Sequence, residues 1–201
     1  GHVRVYEYSG SSWSQKGGDI VGEAASDQSG FSVSLSSNGA IVAIGAWNND
    51  GNGTDSGHVR VYQYSGSSWS KLGADIDGEA ASDYSGGQGL SLSSDGTIVA
   101  IGAYQNDGNG SNSGHCRVYK YSGGSWSQLG ADIDGEAAGD DSGWFVSLSS
   151  DGTIVAIGAM NNDANGSNSG HVRVYEYSGS SWSQLGSDID GEAASDMSGT
   201  S

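Results

Sequence analysis

Short apolar and β-branched stretches alternate along this chain with polar, glycine-rich segments. The run Ile98 to Ile101 is apolar on both faces, which is typical of a strand covered on both sides. The stretch His115 to Tyr121 is rich in β-branched and aromatic residues, and Asp95-Gly96 favours a tight hairpin turn. The pattern predicts short antiparallel strands. The chain also contains Gly-Glu-Ala-Ala stretches that could be helical, but they are too short to form helices alone.

A unit of 56 or 57 residues occurs about three and a half times in the chain. The segment GHVRVYEYSGSSWSQ at Gly1 returns with small changes at Gly57, Gly114 and Gly170. A period of this length indicates a supersecondary unit that buries its apolar face only against neighbouring copies. Each unit predicts four antiparallel strands. The sequence therefore predicts an all-β fold, a β-propeller built from four-stranded antiparallel blades.

We interpret residues 1–201 as one part-ring propeller domain. Residues 1–30 are predicted to form an orphan outer hairpin and a connector. Three blades are predicted at 31–86, 87–143 and 144–201, the last with a terminal connector. Because propellers have about four or more blades, three cannot close a ring. We expect a homo-oligomer, most simply a dimer, to complete it.

Composition narrows the classes of partner. The net charge is −17, with only 7 lysines and arginines, so a phosphate-binding face is not expected and we predict no nucleic-acid partner. No apolar stretch approaches the roughly 20 residues of a membrane helix, so we predict no membrane insertion. The single cysteine, Cys116, replaces a valine of the other copies and is expected to be a buried small hydrophobe.

The repeat resembles the FG-GAP family, whose units form the blades of integrin-α-type propellers. Gly45-Ala46, Gly102-Ala103 and Gly158-Ala159 match its Gly-Ala, and Gly57-His-Val-Arg-Val-Tyr62 matches its third strand. The family's proline is absent, its Phe-Gly is reduced to Ser-Gly, and its acidic loop between strands one and two is reduced to Ser-Ser-Asp-Gly. Calcium at that loop is therefore not implied. The resemblance implies a structural or adhesion-type module, extracellular or at the cell surface, that recognises a protein or glycan through one rim.

Differences between copies concentrate at the connector before strand one and the loop after strand two, which are predicted to share one rim. Variation on one face of a constant scaffold is typical of a binding surface, although drift of loop tips would produce the same pattern. The candidate ligand-binding residues are the exposed aromatics expected on this rim and the methionine in the same slot: Trp47, Tyr84, Tyr104, Trp144 and Met160.

The loop after strand two places Asp and Asn at alternating positions. Such oxygens suit a hard cation such as Ca²⁺, but they also suit hydrogen-bonded Asx turns, and the sequence leaves both open. The candidate metal ligands are Asp50, Asn52, Asp107, Asn109, Asp163 and Asn165. No other cofactor is predicted.

Charged residues that recur in every copy are expected to be structural. The aspartates would cap backbone N–H groups, and the arginines would bond an acidic or carbonyl group of a neighbouring blade. They are Arg4, Arg60, Arg117, Arg173, Asp27, Asp83, Asp140 and Asp196. The recurrent histidines are likewise expected to pack between blades. Since no copy carries a distinct catalytic constellation, we expect a non-enzymatic repeat scaffold. A glycan-binding propeller is the alternative, and a propeller enzyme is the least favoured one.

Overall fold

The computed structural model describes all 201 residues and contains strands, turns and loops without a helix. It accordingly has no helix long and apolar enough to cross a membrane. The strands form three sheets of five strands each and two two-stranded ribbons, and every pairing between these strands is antiparallel. The chain is all-β, as the pattern of short apolar stretches predicts.

The N-terminal segment forms the two ribbons. Its strands are β1 (His2–Val3), β2 (Tyr6–Tyr8), β3 (Trp13–Gln15) and β4 (Ile20–Val21). Strands β2 and β3 form a hairpin, and β1 pairs with β4. These pairings repeat those of the last three strands of each complete sheet, so this segment corresponds to the second half of a repeat.

The three sheets follow in chain order. The first contains β5 (Val33–Leu35), β6 (Ile41–Ala46), β7 (His58–Tyr64), β8 (Trp69–Lys71) and β9 (Ile76–Asp77). The second contains β10 (Leu90–Leu92), β11 (Ile98–Ala103), β12 (His115–Ser122), β13 (Ser125–Gln128) and β14 (Ile133–Asp134). The third contains β15 (Phe145–Leu148), β16 (Ile154–Ala159), β17 (His171–Tyr177), β18 (Trp182–Gln184) and β19 (Ile189–Asp190).

In each sheet the first four strands are consecutive neighbours, and the fifth pairs with the beginning of the third. In the second sheet, β13 pairs with Tyr119 to Ser122, and β14 pairs with His115 and Cys116. The sequence predicts four strands in each unit and misses the fifth, such as β14, because a strand of two residues is too short to show an alternating pattern.

The predicted Asp-Gly and Asn-Gly hairpin turns between the first and second strands are confirmed. In the second sheet, Asp95 Oδ1 accepts hydrogen bonds from Thr97 N at 2.9 Å and Ser93 Oγ at 2.7 Å. Gly96 has φ of 74°, a left-handed conformation that glycine adopts without a Cβ penalty. The turn therefore fixes the register of the hairpin.

The core lies between successive sheets rather than within any one of them. One cluster of nine buried residues joins the first sheet to the second, with Val59 and Val61 on one side and Val99 and Ile101 on the other. A second cluster joins the second and third sheets, and a smaller one joins the N-terminal segment to the first sheet. Each repeat therefore buries its apolar face only against its neighbours.

Neighbouring sheets approach most closely at their first strands. Strand β10 contacts both β5 and β15, while the main contacts between sheets involve only first and second strands. Farther out, the sheets are joined by long side chains: Trp126 Nε1 donates to the carbonyl oxygen of Leu72 in the preceding repeat at 2.7 Å. The sheets consequently fan outward from an edge formed by their first strands.

The recurrent arginines join one repeat to the preceding one. Arg117 Nη2 donates to the carbonyl oxygen of Asp77 at 2.8 Å, and its Nη1 lies 3.3 Å from Glu79 Oε1. Arg60 and Arg173 make the equivalent contacts. Arg4, in the N-terminal segment, instead donates to both carboxylate oxygens of Asp19.

The recurrent aspartates hold each connector in place. Asp83 Oδ2 accepts from Ala80 N at 3.0 Å and from Asn106 Nδ2, in the loop after β11, also at 3.0 Å. Asp27 and Asp140 bind the same pair of groups in the neighbouring copies, and Asp196 accepts from Ala193 N. The connector and the loop after the second strand are thereby fixed side by side.

Candidate binding rim

The loops that vary between copies lie at one end of the sheets. The hydrogen bond between Asp83 and Asn106 joins a connector to the loop after the second strand of the next sheet. Each connector also runs alongside the residue that precedes a third strand, through the bridges Gly57 to Ser85 and Gly114 to Ser142. This arrangement brings side chains from successive repeats onto one edge, which we call the rim.

Five aromatic rings form an uninterrupted row along the rim, which we call the aromatic row. Adjacent ring centroids are 5.1 Å apart for Phe31 and Trp47, 5.0 Å for Trp47 and Tyr84, 5.7 Å for Tyr84 and Tyr104, and 4.5 Å for Tyr104 and Trp144. These spacings are those of favourable aromatic pairs. The structure thus brings together the four aromatic residues proposed from sequence and adds Phe31.

The rings are less exposed than the sequence prediction supposed. Tyr104 is 9 % exposed and therefore buried, while Phe31 is 49 % exposed. Trp47, Tyr84 and Trp144 are partly buried. The expectation that Tyr104 is an exposed contact residue is wrong, because its ring is covered by Tyr84 and Trp144 on either side. The accessible part of the row lies at its Phe31 end and along the ring edges.

The second repeat has an additional residue beside the aromatic row. Gly87 and Gln88 occupy the place that Phe31 alone takes in the first repeat, between the flanking hydrogen bonds to the second strand. A Cβ on Gly87 would lie 3.4 Å from Tyr104 Cε1, so the absence of a side chain leaves room for that ring. The extra residue of this 57-residue repeat therefore forms a local bulge beside the aromatic row.

One variable slot on the rim has an uncommon backbone conformation. Gln28, Tyr84, Asp141 and Met197 share this slot and have φ between 50° and 55°. Residues other than glycine rarely adopt a positive φ, and those that do are concentrated at functional positions. The slot holds this conformation in every copy while its side chain changes, so the scaffold is constant and the side chains it presents differ.

Polar groups accompany the rings. Asp141 Oδ2 accepts a hydrogen bond from Asn161 Nδ2 at 2.7 Å, and burial raises the pKa of this carboxyl to about 6. Burial also raises the pKa of Tyr104 to about 12, with smaller contributions from Tyr84 and Asp141. The buried atoms Trp47 Nε1 and Asn48 Oδ1 have no hydrogen-bond partner.

This combination suits a ligand with both apolar and hydroxylated surfaces. Aromatic rings stack against C–H faces, and a hydroxyl group can both donate to a carboxylate or amide oxygen and accept from an indole N–H. Asp141 and Asn48 had no place in the predicted site, because an unpartnered atom or a buried carboxyl is visible only in three dimensions. Phe31 could have been found, since it shares a slot with Trp144.

The remaining predicted residues have defined positions. Met160 follows β16 in the slot of Trp47 and Tyr104 and is partly buried. In the predicted metal loop, Asn109 Nδ2 donates to the carbonyl oxygens of Gly135 and Glu136, and Asp107 Oδ1 accepts from Asn112 N. Asn52, Asn165, Asp50 and Asp163 make the equivalent contacts. Calcium at this loop stays a prediction.

Comparison with known proteins follows the same division into repeats. A family model described as FG-GAP repeat matches residues 22–62 and 131–175. No curated protein matches the chain significantly. Among solved structures, a Bacteroides uniformis protein provisionally assigned as a 6-phosphogluconolactonase has a TM-score of 0.62 at 10 % identity. The match covers 96 % of this chain and 50 % of that one, so the chain spans half the length of that structure. The tricorn protease matches 73 % of the chain, and 13 % of its own length, at 10 % identity and a TM-score of 0.42.

Proposed function

We propose that the chain is a non-enzymatic propeller-type scaffold of FG-GAP-like repeats that binds a ligand through its rim. The match of residues 22–62 and 131–175 to the FG-GAP repeat model supports the scaffold. Each sheet would be a four-stranded blade whose outer strand is split in two. The likeness to the Bacteroides uniformis structure supports this fold and, at 10 % identity, nothing beyond it.

The observation that carries a binding role is the aromatic row. An uninterrupted series of five rings crosses three repeats at the edge where the copies differ most. The opposite end carries the nearly constant Asn-Gly and Asp-Gly hairpins. A scaffold that keeps one end constant and varies the other resembles proteins that carry binding residues on loops.

We propose a glycan as the ligand. Sugar rings have an apolar C–H face that stacks on aromatic side chains and hydroxyl groups that bond to amides and carboxylates. Phe31 and Trp47 at one end of the row supply aromatic rings, and Trp144 with Asp141 at the other end supplies a ring beside a carboxylate. A protein partner is the second class of ligand, since partly exposed aromatics also concentrate in protein interfaces.

The test is binding of the intact chain to immobilised glycans, with and without EDTA. We expect binding that survives EDTA and is lost in Trp47→Ala. The matched control is Trp13→Ala, because Trp13 is 67 % exposed and contacts Tyr8 rather than the aromatic row. Absence of binding to any glycan, or equal loss in both variants, would contradict the glycan proposal while leaving the scaffold assignment in place.

We also propose that this 201-residue chain associates with a second copy. The two ends of the array expose the surfaces that form the core elsewhere. Leu35 is 50 % exposed, whereas its equivalent Leu92 is 8 % exposed, and Ile189 is 58 % exposed, whereas Ile133 is 5 % exposed. Light scattering should therefore give a mass above that of one chain, and Leu35→Glu should lower it. A monomer at all concentrations would contradict self-association.

A further inference from the structure

Two buried histidines lie between successive repeats without hydrogen-bond partners. His115 begins β12 and is 1 % exposed, and neither of its ring nitrogens has a partner. His171 begins β17 and has the same environment. Buried polar atoms are nearly always paired, so two equivalent histidines with all four nitrogens unpaired require an explanation beyond packing.

Carboxylates from two repeats face each of these rings. His115 Nδ1 lies 3.8 Å from Glu79 Oε2 and 3.8 Å from Asp132 Oδ2. His171 Nδ1 lies 3.9 Å from Glu136 Oε2 and 4.0 Å from Asp188 Oδ2. These separations are too long for hydrogen bonds. The three candidate ligand atoms of each group lie within 4.8 Å of one another. Ligand atoms around a tetrahedral ion with bonds of about 2.0–2.2 Å are about 3.3–3.6 Å apart, so the carboxylates would move towards the ring by a few tenths of an ångström or more on binding an ion.

Neighbouring side chains orient both carboxylates of the His115 group. Gln128 Nε2 donates to Asp132 Oδ1 at 2.6 Å, which leaves Oδ2 facing the ring. Arg117 Nη1 lies beside Glu79 Oε1, which leaves Oε2 facing the ring. Such outer contacts are characteristic of metal sites because they fix the direction of the ligand atoms.

The third sheet offers one more oxygen near its histidine ring. At His171, Asp190 Oδ1 adds another carboxylate oxygen 4.0 Å from Nδ1. The charge of −17 on the chain also favours a cation.

We propose that Glu79, His115 and Asp132 bind one divalent transition-metal ion of the Zn²⁺ class, and that Glu136, His171 and Asp188 bind a second. One imidazole nitrogen with two carboxylate oxygens is a ligand set that suits Zn²⁺, whereas Ca²⁺ takes oxygen ligands. The glutamate comes from one repeat and the other two ligands from the next. The ion therefore joins successive sheets at their outer half.

The chain contains two internal controls. At the first interface, Lys71 replaces the glutamine and its Nζ lies 2.7 Å from Asp75 Oδ1, so a positive charge opposes a cation near His58. In the N-terminal segment, His2 is exposed and both oxygens of Asp19 accept hydrogen bonds from Arg4. We therefore expect two strong sites, one weaker site and none at His2.

The test is calorimetric titration of the EDTA-treated full chain with Zn²⁺, together with Co²⁺ absorption spectra that report ligation by imidazole and carboxylate. Wild type should bind two ions tightly. Asp132→Asn should weaken one site by about tenfold or more, whereas the positional control Asp19→Asn should leave both unchanged. Lys71→Gln should add a third tight site.

Both aspartate variants alter exposed or partly exposed side chains, and circular dichroism will show that they remain folded. Absence of Zn²⁺ binding in wild type would overturn the proposal. Equal effects of Asp132→Asn and Asp19→Asn would overturn it as well, because binding would then be a property of the acidic surface rather than of the interface between repeats.

Discussion

The contact of each tryptophan with the preceding repeat allows a controlled test of how the sheets are held together. The Trp126 indole lies against Gly73, where an added Cβ would be 2.9 Å from Trp126 Cδ1, and its Nε1 donates to the Leu72 carbonyl oxygen at 2.7 Å. Phenylalanine at position 126 would keep an aromatic ring beside Tyr121, 5.2 Å away in the native protein, but would remove the donor.

The expected cost follows from these contacts. Loss of the donor leaves the Leu72 carbonyl without its partner, which costs about 1–3 kcal/mol for a group removed from water. The smaller ring also reduces packing against the preceding repeat, which adds to the cost. We expect Trp126→Phe to lower the free energy of unfolding by about 2–3 kcal/mol. For a chain of this size the corresponding fall in Tm is about 5–10 °C.

The matched control is Trp13→Phe. Trp13 lies 5.2 Å from Tyr8 in the same arrangement, but it is 67 % exposed, unlike the partly buried Trp126. Its substitution should change the free energy of unfolding by less than about 0.5 kcal/mol. The free energy of unfolding of both variants can be measured by urea titration monitored by circular dichroism, which does not depend on tryptophan fluorescence. Equal shifts in the two variants would refute the reasoning, since only Trp126 makes the contact between repeats.

Three further predictions concern the inner edge, the rim and the loops. Gly102→Ala should lower the free energy of unfolding, measured by thermal unfolding, by about 2–3 kcal/mol, because the added Cβ would overlap the Gly143 carbonyl oxygen of the next repeat. The control Gly18→Ala should leave it unchanged, because the space around Gly18 is open. Burial raises the pKa of Asp141 to about 6, so between pH 3.8, the ordinary pKa of this carboxyl, and about pH 6 the folded state holds a proton that the unfolded state has released. Stability therefore falls as the pH rises through this range. Asp141→Asn should thus raise stability by about 1 kcal/mol, after allowance for solvent screening, above that pH window and not below it; a gain that persists in acid would contradict this. For the loops, the calcium prediction requires that Ca²⁺ raise the Tm and that Asp107→Asn, which alters one of three equivalent loops, reduce the rise; no rise in the wild type would exclude it.

Local structure could be predicted from the sequence because each hairpin turn between first and second strands contains a characteristic Asp-Gly or Asn-Gly pair. The Asp95-Gly96 pair lies at the turn of the hairpin between Leu90–Leu92 and Ile98–Ala103, as its sequence predicts. The repeat period likewise predicted that sheets would cover one another, and the buried clusters lie between sheets. A turn is determined by residues that are adjacent in the chain, and the repeat period can be counted directly. Both can therefore be read from a single sequence.

The candidate site was predictable only in part. Every repeat places the same two loops at the same end of its sheet. The aromatic residues of these loops therefore lie together on one rim: Trp47, Tyr84, Tyr104 and Trp144. Their mutual burial depends on the angle between neighbouring sheets, which no residue pattern encodes. The same applies to His115, for which sequence reasoning expected packing alone: its facing carboxylate Glu79 belongs to the preceding repeat and reaches it only after the sheets have stacked.

The arginines show how position in the array, rather than residue identity, decides the chemistry of a repeat. Arg4 and Arg117 occupy equivalent slots, yet Arg4 binds both oxygens of Asp19 and lowers the pKa of that carboxyl to about 2. Where a preceding repeat is present, Arg117 turns instead to Asp77 and Glu79. That change of partner leaves Asp132 Oδ2 facing a buried imidazole. The proposed metal sites therefore arise from the meeting of two repeats, and an isolated repeat would contain the same residues without a site.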